Sequence, residues 1–152
     1  DPMPVLKQTL ALMLGRVRGW CRPLAVTPPL VLVGKSMGGR VSSLLLAEGL
    51  APGVRGAAYL GYPLHPAGQP ERLRRDHLPA ITVPQLFVSG TSDALATRAV
   101  LAATVDSLGP LATLSWIEGG DHSLAVRRAA PLAGADHWLD LLRGFIDGLP
   151  AR

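Results

Sequence analysis

The amino-acid sequence predicts an α/β fold, a parallel sheet of about four strands flanked by helices on both faces. Three observations lead there. Short apolar, β-branched runs alternate with stretches whose apolar residues recur every three to four positions. The first run, Leu30-Val31-Leu32-Val33, is continuous rather than alternating, as in a strand covered on both faces. Each run closes on a glycine-containing turn, and Ser36, Asp93 and His122 stand just past strand ends, where the chemistry of such a sheet gathers.

Taken in order, Val5 to Val17 reads as a helix built on Val5, Leu6, Leu10, Met13, Leu14 and Val17, with Pro2 and Pro4 at its start and Gly19 at its end. A proline-rich link (Pro23, Pro28, Pro29) leads into the strand at Leu30. A helix from about Gly39 to Glu48 follows the turn at Ser36, capped by Gly49. Val54 to Leu60 is the second strand, and a proline- and glycine-rich loop then leads to a short helix around Glu71 to His77. Leu86 to Ser89 is the third strand, Thr97 to Ser107 a helix, and Leu111 to Ile117 the fourth strand. Ala135 to Leu149 closes the chain as an amphipathic helix on Trp138, Leu141, Leu142, Phe145, Ile146 and Leu149. No second domain or repeat is visible, so residues 1–152 read as one domain.

Composition narrows the function classes. Hydrophobic residues make up 48% and charged ones 17%, a globular balance. No apolar run reaches the roughly 20 residues that span a bilayer. Asp1-Pro2-Met3-Pro4 has no basic head of a signal peptide, so the expectation is a soluble cytoplasmic protein without membrane partners. The single cysteine, Cys21, allows no intrachain disulfide and has no histidine nearby. The net charge of +4 comes from scattered residues without interleaved aromatics, which argues against nucleic acid. The densest patch, Arg72 with Arg74 and Arg75, also holds Glu71 and Asp76 and reads as a solvated helix face. No cluster has metal-ligand spacing, and no cofactor is expected.

The chemistry-bearing pattern is Gly34-Lys35-Ser36-Met37-Gly38. A serine hydroxyl is a poor nucleophile until a base takes its proton and a third group orients that base. A sharp strand-to-helix turn lifts Oγ clear of the backbone and aims the next amide, Met37 N–H, at a developing oxyanion. Gly34, Gly38 and Gly39 suit so tight a turn. The order Ser36, Asp93, His122 is the one expected of nucleophile, acid and base on this kind of sheet. Rival readings exist: Asp93 as a helix cap, Asp121 as the acid, and Ser36 as an ordinary turn residue. Gly34-Lys35-Ser36 also ends a phosphate-binding loop, but that motif needs a glycine where Pro29 stands. Lys35, Tyr62 and His65 are candidates for the pocket wall, within or near the segment from Gly61 to Leu78.

Gly-Lys-Ser-Met-Gly-Gly-Arg (34–40), Leu-Gly-Tyr-Pro-Leu-His-Pro (60–66), Glu-Arg-Leu-Arg-Arg-Asp-His-Leu (71–78) and Gly-Gly-Asp-His-Ser-Leu (119–124) resemble the bacterial α/β-hydrolases related to the testis-expressed and KANSL-type proteins, which are often described as dienelactone-hydrolase-like. The resemblance implies an α/β-hydrolase fold with Ser36 as nucleophile, Asp93 as acid and His122 as base. It implies a serine hydrolase of small-molecule esters, or else a binding or scaffold protein that keeps the fold without turnover. Members of the group carry upstream strands and a glycine-rich loop with a second oxyanion donor, whereas this chain opens one helix before Leu30. The expectation is a chain corresponding to the carboxyl-terminal portion of the domain, with a sheet edge open to self-association.

Overall fold

The computed structural model describes residues 2–21, 29–126 and 137–150. Four strands, β1 (Leu30–Lys35), β2 (Val54–Leu60), β3 (Gln85–Gly90) and β4 (Ala112–Ile117), form one parallel sheet in the order β1-β2-β3-β4. Helices α1 (Met3–Cys21), α2 (Met37–Ala47), α3 (Arg98–Ser107) and α4 (His137–Asp147) flank it. Because each strand adds beside its predecessor, right-handed crossovers place α2 and α3 on the same face. Helix α4 follows the last strand and covers the other face.

Alternation along the strands sorts the side chains into two cores. Ala57, Tyr59 and Phe87 point to the α2 side and meet Leu45, Leu101 and Val105. Ala58, Leu60, Leu86 and Val88 point the other way, against Trp138, Leu141, Leu142 and Phe145 of α4. Tyr59, Tyr62 and Phe87 pack at steep angles, tilted or edge to face, with ring centroids 4.8 to 5.7 Å apart. The buried Tyr59 hydroxyl donates to Gln85 Oε1 at 3.3 Å, so the aromatic cluster carries no orphaned donor there.

Several elements depart from expectation, each for a physical reason. Among the described residues strand β1 lies at the sheet edge and pairs only with β2. Its burial alternates, Leu32 and Gly34 buried but Val33 45% exposed, so one face is covered instead of both. Helix α1 runs through Gly19 to Cys21, which is helical and not the start of a loop. Gly19 lacks the positive φ of a helix stop, whereas Gly49 (φ 69) has it. The amides of Gly49 and Leu50 donate back to Leu46 and Leu45, a Schellman closure of α2. Of the apolar face proposed for α1 only Leu14 is buried, with Leu10 packed beside it; Val5 and Met13 are exposed. The short helix expected at 71–77 is an irregular segment with turns at its two ends, followed by a 3-10 turn at Leu78–Ala80. Arg74 N–H donates to Leu64 O at 2.7 Å, and this tie to the preceding loop replaces intrahelical pairing. The link at 22–28 and the start of the last helix at 135–136 lie outside the described residues.

Register brings the strand ends together: Lys35 is opposite Leu60, Leu60 opposite Val88, and Gly90 opposite Ile117. The turns that carry Ser36, Asp93 and His122 therefore share one end of the sheet.

Candidate active site

Strand β1 ends at Lys35 and α2 begins at Met37, so Ser36 alone makes the turn. It adopts φ 48 and ψ −117, a sparsely populated conformation for a residue with a side chain. Its N–H donates to Leu60 O at 2.9 Å, and its carbonyl accepts from Arg40 N–H at 3.2 Å. A Cβ at Gly34 would collide with the backbone of Gly38 and Gly39; one at Gly39 would lie 2.9 Å from Gly34 O. The strand and helix cross this closely only because both residues are glycine. Gly38, expected to share that role, has open space around it and is not required by sterics.

Ser36 occupies the N-cap position of α2, where serine ordinarily caps the helix through its side chain. Here it makes no such bond. Its Oγ instead lies 2.8 Å from His122 Nε2. His122 Nδ1 is 3.0 Å from both Asp93 oxygens. A carboxylate can only accept, so Nδ1 carries the proton and donates to Asp93, leaving the Nε2 lone pair to accept from the Ser36 hydroxyl. The Asp93 side chain is wholly buried, while His122 is 26% exposed. Asp93 Oδ1 also accepts from Leu95 N–H at 2.8 Å, and the N-cap of α3 is Thr97, not Asp93.

Backbone contacts hold the acid and base loops together. Thr91 N–H donates to Ile117 O at 3.1 Å and Ser92 N–H to Gly120 O at 2.9 Å. A Cβ at Gly90 would collide with Gly120, and one at Gly61 would sit 2.5 Å from His122 O. These two glycines let the histidine loop press against the ends of β2 and β3. They were not among the residues singled out from sequence, although their position directly after or at a strand end was a usable signal. Asp121 shapes the same loop: its Oδ1 accepts from Ser123 N–H at 2.8 Å and Ala125 N–H at 3.2 Å.

Met37 is the first residue of α2, where an N–H has no acceptor within the helix. Lys35 is exposed at the end of β1. Tyr62 and His65 lie in the interior, at 1% and 5% exposure. Tyr62 Oη donates to Arg74 O at 2.9 Å, and burial pushes its phenol up from its ordinary pKa. His65 Nδ1 donates to Pro66 O at 2.9 Å. Among the described residues no group of three or more His, Cys, Asp or Glu could hold a metal ion, and no helix is long and apolar enough to cross a membrane.

The family model described as an alpha/beta hydrolase domain matches residues 1–146, and the chain belongs to that family. Among solved structures it is similar to a yden-like hydrolase from Pectobacterium atrosepticum, at 19% identity and a TM-score of 0.63, covering 95% of this chain and 71% of that one. It is similar to the esterase domain of a Rhodothermus marinus protein at 18% identity and a TM-score of 0.51, covering 74% of this chain and 61% of that one. An alpha-beta serine hydrolase homologue from Coxiella burnetii matches at 16% identity and a TM-score of 0.53, covering 88% and 54% respectively. At these identities the likeness is one of fold. The chain spans 61% and 54% of the last two structures.

Proposed function

We propose that the chain is a serine hydrolase that cleaves small carboxylic esters through an acyl-enzyme, within the group resembling the KANSL-type and dienelactone-hydrolase-like proteins. The observation that carries the reading is a serine at a helix N-cap that leaves the helix uncapped and gives its hydroxyl to His122. A turn serine kept for structure would bond the helix amides.

Ser36 Oγ attacks the ester carbonyl carbon while its proton passes to His122 Nε2, and Asp93 steadies the imidazolium that forms. The carbonyl oxygen becomes an oxyanion facing Met37 N–H at the positive end of α2. Collapse breaks the bond to the alcohol, which leaves with the proton from Nε2. Water then gives a proton to Nε2 and attacks the acyl carbon, and the proton returns to Ser36 as the acid departs.

The test is hydrolysis of 4-nitrophenyl butyrate. Ser36→Ala is expected to lower kcat by roughly a thousandfold or more, and Asp93→Asn by a similar order, because the histidine loses the partner that fixes its tautomer. Wild-type turnover no faster than that of Ser36→Ala would leave the fold with a binding role alone.

A further inference from the structure

The basic segment after Gly68 is not a solvated helix face. Arg74 N–H donates to Leu64 O and Arg74 O accepts from Tyr62 Oη, while His77 Nε2 lies 2.8 Å from Ser43 Oγ on α2. Ser43 gives its only proton to Arg40 O at 2.9 Å, so it accepts from His77, which is the Nε2–H tautomer. These bonds lay the segment against the first turns of α2. Arg40, Arg72, Arg74, Arg75 and His77 then line one cavity of about 890 Å³, with Met37, the residue after Ser36, also in its wall.

The charge in this cavity is not balanced. Four arginines line it, against the two acidic residues Glu71 and Asp76. Among the described residues the ion pairs are Lys7–Glu48, Arg98–Glu118 and His122–Asp93, none of which involves these arginines. Arg72 and Arg75 bond to the neutral groups of Gln69 and Thr104. Arg40 Nη1 is buried with no partner at all. A buried, unpartnered guanidinium N–H is costly, and like charges gathered in a half-buried wall add to that cost. Burial and the Arg40 charge hold the Arg74 guanidinium below its ordinary pKa, and the same two causes lower His77. An oxyanion in the cavity supplies the countercharge that these arginines lack, and arginine is suited to hold it in paired hydrogen bonds.

Position ties the cavity to the nucleophile. Arg40 is one helical turn beyond Ser36 and bonds its carbonyl through the backbone, and Met37 bridges the two places. We infer that the cavity receives a carboxylate carried by the substrate, so that the esters cleaved at Ser36 are acid-bearing ones such as half-esters of dicarboxylic acids. This rests on the hydrolase reading above and names its substrate class.

The experiment compares kcat/KM for mono-4-nitrophenyl glutarate and 4-nitrophenyl valerate, esters of similar length that differ in the terminal carboxylate. The wild type is expected to favour the glutarate at least about tenfold, with the preference falling toward parity in Arg40→Gln and Arg74→Gln and at high salt. Circular dichroism checks that each variant folds, and Arg74→Gln, on the rim, serves if Arg40→Gln does not. Glutarate binding to Ser36→Ala, measured by calorimetry with and without Arg74→Gln, reads the site apart from turnover. Equal rates on both esters in an active wild type, or no glutarate binding, would overturn the assignment while leaving the hydrolase reading intact. Arginine-dependent glutarate binding without hydrolysis of either ester would uphold the anion site and sink the hydrolase reading. Inorganic phosphate binding more tightly than glutarate would overturn the choice of a carboxylate.

Discussion

Ser36 is held by its backbone and directed by its side chain through separate partners, Leu60 and Arg40 for the first and His122 for the second. That division fits a strained φ: the two backbone bonds keep the residue where relaxation would otherwise carry Oγ away. Asp93 and His122 were legible as candidates because each stands a few residues past a strand end, and strand ends are readable from apolar runs. The orientation of Asp121 was not legible, since only the folded loop shows that its carboxylate binds the amides of Ser123 and Ala125. Arg40 was equally opaque, because its setting depends on a segment far along the chain. His77 offers a test at this scale. Burial chiefly, then the Arg40 charge, lower its pKa from 6.5, so the fold binds a proton less readily than the unfolded chain does. Stability is therefore whole above about pH 6.5 and falls as the pH drops through that value toward the lower folded pKa. Thermal unfolding should show a steeper decline between about pH 7 and pH 5 in the wild type than in His77→Gln, which keeps a donor for Ser43. Parallel curves would contradict the assignment.

At the level of elements, the strand-turn-helix of β1 and α2 was readable almost residue by residue, because the turn demands glycine and the strand demands apolar residues. What the pattern blurred was which glycine matters. Gly34→Ala drives a methyl into the α2 backbone and should cost about 1–3 kcal/mol or more. Gly38→Ala meets open space inside a helix and should be neutral, or stabilising by up to about 0.5–1 kcal/mol. Urea unfolding of the two variants decides the point; equal losses would mean that the crossing of strand and helix is looser than described. The 71–77 segment misled the sequence reading for the opposite reason. Its arginines and leucine have helical spacing, but backbone bonds to Leu64 and Tyr62 from a preceding loop override local preference.

Across the whole molecule, alternating strands and helices predicted the parallel sheet, and a monotonic strand order explains why α2 and α3 share a face. Face coverage was not legible: the apolar run of β1 looks like a strand covered on both faces, yet Val33 is exposed, and among the described residues β1 pairs only with β2. The densest basic patch was visible along the chain, but not that the fold sets it beside Arg40 near the elbow. The sheet's role on the proposed reading is to hold three loops in register, so that a serine, a histidine and a buried carboxylate from distant parts of the chain meet in a line. The most direct test of that line is reaction of the folded protein with a fluorophosphonate, followed by intact mass and peptide mapping. One covalent adduct is expected, on Ser36, formed much more slowly in His122→Ala and absent from Ser36→Ala. An unmodified wild type, or an adduct that forms equally well without Ser36, would contradict it.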